Sequence, residues 1–269
     1  MPELPEMETY KTLLNQTVVR RPIEAVDIQR EKSINVPPDE FVRRVRNRAI
    51  TVVERRAKHL LFVLDSGDVL LLHLMLGGWM FYGTERDKPD RTTQVVLSFG
   101  ERSLYFIGLR LGYLHVLTMQ EAARKLAGLG PEPLEPSFTA ERLRQLLGRK
   151  RTALKPTMTD QKTIAGIGNC YADEICFDAR ILPTRKIETL APEEFAALHR
   201  SMNDVLRAAI RFGGYMENPL FPGDALTGGF DSRCAVYDRG GEPCVRCGRP
   251  IVQEELASRK VFYCVHCQR

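Results

Sequence analysis

Four of the seven cysteines are ordered near the C-terminal end, as Cys244-x-x-Cys247, sixteen residues, then Cys264-x-x-Cys267. Each CxxC turn offers two thiolates, and two such turns make the tetrahedral four-sulfur set that Zn2+ prefers. Four protein ligands leave no open position, so this spacing predicts a structural metal, one Zn2+ per chain. Apolar Ile251, Val252, Val261, Phe262 and Tyr263 lie near the ends of the intervening stretch and suit a two-stranded hairpin. Arg246, Arg249, Arg259 and Lys260 surround it, the composition of a basic finger that meets nucleic acid. His266 has no required role once four thiolates are present. Cys170, Cys176 and Cys234 are scattered and read as small buried hydrophobes.

The other end of the chain begins MPELPEMETY. Methionine ahead of a proline is commonly removed, which leaves Pro2 with a secondary amine. An α-amino group is ~2–3 pKa units less basic than a lysine, so more of it is neutral and nucleophilic near pH 7. Condensation of a secondary amine with a sugar aldehyde carbon gives an iminium, a cation that acts as an electron sink. Glu3 could serve it as acid or base, and Lys58, in Arg55-Arg56-Ala57-Lys58, could supply charge. The same residues have a plainer reading. Pro5 opens a helix, and Glu6 and Glu8 favour its dipole. On these residues alone, both readings stand.

A third group runs from Lys155 to Glu174. Gly166 and Gly168 interrupt two helical stretches, and Asn169 stands where an N-cap would. A Gly-rich turn at a helix N-terminus exposes N–H groups that can hold a phosphate, although an ordinary helix–turn–helix joint has the same pattern. Just upstream, Arg142, Arg144, Arg149, Lys150, Arg151 and Lys155 crowd into fourteen residues, which suits a polyanion or a solvated basic face.

The elements that must carry these groups follow from patterning. The 269 residues, 43% hydrophobic and 27% charged, predict a soluble globular chain with two or more domains. No apolar run is long enough to span a bilayer and no secretory leader is visible, so a cytoplasmic location is expected. A helix over about 5–17 precedes strand-like runs at 25–29, 50–55, 59–64, 69–74, 94–99 and 103–106, which predict an antiparallel sandwich or barrel. A Pro-rich stretch at 129–136 reads as a linker. Helices are expected over 139–147, 172–179 and 192–212, then a long Gly/Pro-rich loop at 213–233. The fold class is thus α+β, with expected domains at 1–130, 131–232 and 233–269, the last being the zinc finger.

Together these motifs resemble the formamidopyrimidine-DNA glycosylase and endonuclease VIII family, in order along essentially the whole chain. They are Pro2 through Glu6, Arg55 through Lys58, Gly130 through Leu134, Lys155 through Glu174, Val236-Tyr237, and the two cysteine pairs with their flanks. The PELPE opening leans toward the formamidopyrimidine branch. The resemblance implies an N-terminal helix with a β-sandwich, then a helix–two-turns–helix domain with a C-terminal zinc finger. Double-stranded DNA carrying damaged bases or abasic sites would lie between the domains, with the damaged nucleotide flipped into a pocket of a monomeric enzyme. It also implies a base-excision-repair glycosylase with AP lyase activity. Pro2 would attack the sugar C1′ to form a Schiff base, and β- then δ-elimination would cut the strand. Glu3 would be the general acid toward the sugar and Glu6 a supporting carboxylate. Lys58, Lys155, Asn169 and Arg259 would grip phosphates.

The chain departs from the formamidopyrimidine branch where that branch fills the hole left by the flipped base. Its methionine, arginine and phenylalanine are matched here by Leu76, Leu109 and Leu111. An apolar wedge still unstacks a base step, but leucine cannot hydrogen-bond the orphaned base. Arg110 is one position away, and in an extended segment neighbours face opposite ways. The Met75-Leu76 pair looks more like the endonuclease VIII wedge. These departures predict weaker discrimination of the opposite base. The alternative reading is a catalytically weak paralogue that binds damaged or abasic DNA.

Overall fold

The computed structural model describes residues 1–148 and 150–269. Arg149 of the basic run lies outside the described residues. The chain divides into two compact units, Met1–Gly128 with Phe212–Gly229, and Leu129–Arg211 with Phe230–Arg269.

In the first unit, α1 (Leu4–Thr17) opens with Pro5 inside its first turn and buries Met7, Tyr10, Leu13 and Leu14. Two antiparallel sheets follow. One contains β2 (Ile50–Arg56), β3 (His59–Leu64), β4 (Asp68–His73) and β8 (Tyr113–Thr118), in that order. The other runs β1 (Ala25–Ile28), β6 (Thr93–Phe99), β7 (Arg102–Ile107), β5 (Trp79–Gly83). Alternate residues of both sheets meet in one core, where the Phe62 and Phe106 rings stand edge to face at 6.3 Å. The sandwich expected from the sequence is present. Two short helices complete the unit, α2 (Pro38–Val45) and α3 (Met119–Leu126), the second capped by Thr118 and Glu121.

Residues 212–229 belong to this same unit, although the sequence placed them with the helical domain. Burial explains it. Leu220 is wholly enclosed in the sandwich core, its carbonyl accepts the Tyr82 N–H at 2.5 Å, and the Tyr10 hydroxyl donates to the Asn218 carbonyl at 3.0 Å. Asp224 ties the loop to itself by accepting from the backbone N–H of Leu220, Leu226 and Thr227 and from the Thr227 hydroxyl. A long loop folded by its own side chains is compact and ordered.

The second unit holds α4 (Ala140–Leu147), α5 (Leu154–Met158), α6 (Asn169–Asp178) and α7 (Pro192–Arg211). It ends in the hairpin β9 (Val252–Leu256) and β10 (Arg259–Tyr263), paired antiparallel as expected. Glu174 of α6 accepts from three successive backbone amides, Ala235, Val236 and Tyr237, at 2.8–2.9 Å. Those bonds offset the cost of burying its charge and fix the chain leading into the finger. Among the described residues, no helix is long and apolar enough to cross a membrane.

Candidate active site and phosphate-binding groups

Pro2, Glu3 and Glu6 form the buried start of α1. Glu3 and Glu6 make a reciprocal capping box, in which Glu6 Oε2 accepts the Glu3 N–H at 2.7 Å. The buried helix that follows holds this terminus still. Lys58 is buried in the two-residue turn between β2 and β3, where Ala57 adopts φ 53°. Arg55 secures that turn to α1, donating to Glu8 at 2.7 Å and to the Ala57 carbonyl at 3.1 Å. Glu8, read from the sequence as a dipole residue, thus has a second task.

Glu6 has a partner that sequence reasoning missed. Its Oε1 accepts the Tyr215 N–H at 2.8 Å, so one carboxylate spans the helix start and the 212–229 loop. The approach requires Gly214. That residue has φ +76°, and a Cβ there would strike the Glu6 carboxylate. The Gly213-Gly214 pair is the signal that carried this information.

The expected wedge residues separate in the structure. Leu76 and Leu111 stand out, 67% and 65% exposed, and Met75 is also on the surface in a left-handed turn, its N–H donating to His73 Nδ1 at 3.0 Å. Leu109 does not join them. It is fully buried in the sandwich core, and its N–H donates to Gln94 at 2.8 Å. Drawing it out would forfeit about 1.5–3 kcal/mol of apolar burial, so its side chain packs in the core and does not stand beside Leu76 and Leu111. Residues 108–112 form a turn and not an extended strand, so Arg110 and Leu111 are both exposed instead of facing opposite ways. Gly108 lets this turn lie against Gly77, whose carbonyl a Cβ would meet. Both loops line a cavity of about 930 Å³ together with Trp79, Glu217 and Asn218.

In the second unit, Gln161 builds the Gly-rich turn. Its amide donates to the Thr159 and Ile167 carbonyls and accepts the Gly166 N–H at 2.9 Å. Gly168 is the N-cap of α6 and Asn169 its first residue, one place on from the expected cap. The Asn169 Oδ1 is buried without a hydrogen-bond partner, an acceptor left open to a donor. The basic run divides. Arg144 pairs with Glu141, whereas Arg142, Lys150 and Arg151 are exposed. Lys155 is only 2% exposed and pairs with fully buried Asp173 at 2.7 Å. Burial pushes the Asp173 carboxyl up, against the pull of the Lys155 ammonium and the Phe262 N–H. Arg259 donates to Thr159 Oγ1 at 2.9 Å, and Lys155, Thr159 and Arg259 line one cavity of about 260 Å³. Arg246 is occupied elsewhere. It lies over the Phe177 ring and donates to the Phe177 carbonyl, so it braces the finger against α6.

The sulfur atoms of Cys244, Cys247, Cys264 and Cys267 all lie within 4.8 Å of one another, with Cys244–Cys267 at 3.8 Å and Cys247–Cys264 at 3.5 Å. Zn–S bonds of about 2.3 Å in a tetrahedron set sulfur separations near 3.8 Å, so the cluster fits zinc. Electrostatics agree. Burial opposes a thiolate at Cys244, yet the Arg246 and Cys247 N–H groups bring it down to about 7. Burial and the neighbouring sulfurs push Cys267 up to about 12, a repulsion that a dication removes. The chain holds one structural zinc, bound by these four thiolates. His266 is instead in contact with Arg249.

Family models match three successive stretches of the chain. The formamidopyrimidine-DNA glycosylase N-terminal domain matches residues 1–113, the H2TH domain of the same enzyme matches 129–218, and the zinc finger found in FPG and IleRS matches 241–269. A formamidopyrimidine-DNA glycosylase from Desulfitobacterium hafniense is 36% identical over 272 residues, covering all of both chains. One from Pelotomaculum thermopropionicum is 36% identical over 274 residues, covering all of this chain and 99% of the other. Among solved structures, a Lactococcus lactis variant of the enzyme bound to Fapy-dG containing DNA superposes with TM-score 0.92 at 26% identity over the whole of both chains. The Lactococcus lactis enzyme with abasic-site DNA gives TM-score 0.92 at 26% identity over 99% of each. From its first residues to its zinc finger, the chain belongs to the formamidopyrimidine-DNA glycosylase family, the bifunctional DNA glycosylases and AP lyases of base-excision repair.

Proposed function

We propose that the chain removes oxidised or ring-opened bases from double-stranded DNA through Pro2, then cleaves the strand at the resulting abasic site. With Met1 attached, the Pro2 nitrogen is an amide and has no basic lone pair. Removal of Met1 frees the amine. It attacks C1′, the C1′–N bond to the base breaks, and the departing base takes up a proton as the sugar ring opens to an iminium at Pro2. The iminium draws electrons from C2′ as a proton leaves there, and the 3′ phosphate departs. A second elimination releases the 5′ phosphate. Glu3 moves protons at the sugar, Glu6 holds the terminus in register, and Lys58 supplies positive charge. Lys155, Asn169 and Arg259 take phosphates, while Leu76 and Leu111, with Met75 beside them, fill the vacated stack. The observation that carries this reading is the buried Pro2-Glu3-Glu6 terminus, fixed on both Glu6 oxygens. Each chain holds every group named, so a monomer in the bacterial cytoplasm suffices.

The exposed donor beside the wedge is Arg110, and we assign it the orphaned base. Bidentate recognition by arginine is worth about 1–3 kcal/mol, or roughly 5- to 150-fold. Single-turnover excision from a panel of oxidised and ring-opened lesions, each opposite all four bases, is the test. Excision of at least one lesion class is expected, with a spread across opposite bases that Arg110→Ala narrows. Tight binding of abasic DNA with no excision anywhere on the panel would favour the binding-only alternative. An unchanged spread in Arg110→Ala would remove that residue's role.

A further inference from the structure

Lys155 and Arg259 reach one cavity from different elements, α5 and β10, and a single buried carboxylate joins those elements. Asp173 of α6 is fully buried, and its Oδ2 accepts the Lys155 ammonium at 2.7 Å and the Phe262 N–H at 3.2 Å. Lys155 completes the link by donating to the Lys260 carbonyl at 2.5 Å. Residues 260 and 262 of β10 are thereby fixed on either side of Val261, one step from Arg259, whose guanidinium meets Thr159 just beyond α5. We propose that Asp173 is a positioning residue for DNA binding: it holds the Lys155 ammonium and the β10 backbone together, so that Lys155 and Arg259 face the same phosphate. The inference rests on the reading of Lys155 and Arg259 as phosphate-binding groups.

Three features favour this over a purely structural pair. An ammonium has three donors, and Asp173 and Lys260 engage two of them, which leaves one for a ligand in the cavity that Lys155 lines. A buried ion pair is often no more stabilising than an apolar pair of the same volume, so stability alone does not call for charge here. The two donors that Asp173 receives come from the two elements that supply the cavity's cations, not from its own helix.

The test uses the full, zinc-loaded chain and a duplex carrying a tetrahydrofuran abasic analogue, with affinity measured across a salt series. Removing one cation–phosphate interaction lowers the slope of log K against log salt by about one. Asp173→Asn keeps the side-chain shape and removes the charge. It is expected to bind at least about tenfold more weakly, with a slope smaller by about one. Added to Lys155→Gln it should cost little more than Lys155→Gln alone, since the two act as a unit. If Asp173→Asn fails to retain zinc, Asp173→Ser takes its place: it removes the charge, keeps a small polar group beside an intact Lys155, and its slope should fall by about one as well. An unchanged slope or tighter binding in either variant overturns the proposal. If Lys155→Gln and Arg259→Ala leave the slope unchanged too, the phosphate-binding reading itself has failed. If they lower it and Asp173→Asn does not, only the positioning role is wrong.

Discussion

Stripping the zinc, by chelation or by Cys264→Ser, is expected to weaken binding to abasic-site DNA by roughly 10²–10³-fold while the N-terminal unit stays folded. The finger's own core is small: Val236, Ile251, Phe262 and the buried cysteines packed on Phe177. Such a cluster cannot hold a hairpin unaided, and a structural zinc supplies on the order of 10–16 kcal/mol of apparent binding energy that is also folding energy. When the hairpin unfolds, Arg259 goes with it, and so do the Lys260 carbonyl and Phe262 N–H that organise Lys155 and Asp173. Two cationic groups at about 1–3 kcal/mol each account for the stated weakening. Equilibrium binding with and without chelator, beside a melting curve of each unit, measures it. Undiminished affinity after zinc removal would mean that the finger does not touch DNA.

Gly214→Val is expected to lower single-turnover base excision at least about 10²-fold, with zinc and the second unit's phosphate-binding groups retained. The new Cβ would occupy the place of the Glu6 carboxylate, which holds the Glu3 and Tyr215 amides. Displacing it by about 1 Å shifts the nucleophile-bearing terminus, a misplacement that typically costs about 10²-fold. Gly223→Ala is the control. Gly223 has φ +83° but open space around it, so the substitution adds backbone strain of ~1 kcal/mol without touching Glu6, and excision should persist. Equal loss in both variants would mean that strain in the loop, and not the hold on Glu6, matters.

The fold class and the four-cysteine cluster were legible in the sequence, because spacing encodes them. The cysteine pairs, the Pro5 helix start and the paired strands are local patterns, and all are where periodicity and turn residues place them. Several elements escaped the same reading. The strands at Trp79–Gly83 and Tyr113–Thr118 sit directly after glycines, and the helix Pro38–Val45 buries only Phe41 and Val45, too short a stripe to register as a period. Leu109 shows the harder limit. Position in a motif puts it beside Leu111, but the turn at 108–112 sends it into the core and leaves Arg110 outside. Long-range pairings were illegible for a different reason. Nothing local in Glu6 and Tyr215, or in Lys155, Asp173 and Phe262, marks them as partners, and only folding brings them together.

If Pro2 is the nucleophile, borohydride reduction in the presence of abasic-site DNA traps the iminium that it forms. Peptide mapping of the trapped complex should find the sugar on the nitrogen of Pro2, in a chain that has lost Met1, and Pro2→Gly should sharply reduce trapping. An adduct on a lysine such as Lys58 or Lys155, or undiminished trapping in Pro2→Gly, would contradict it.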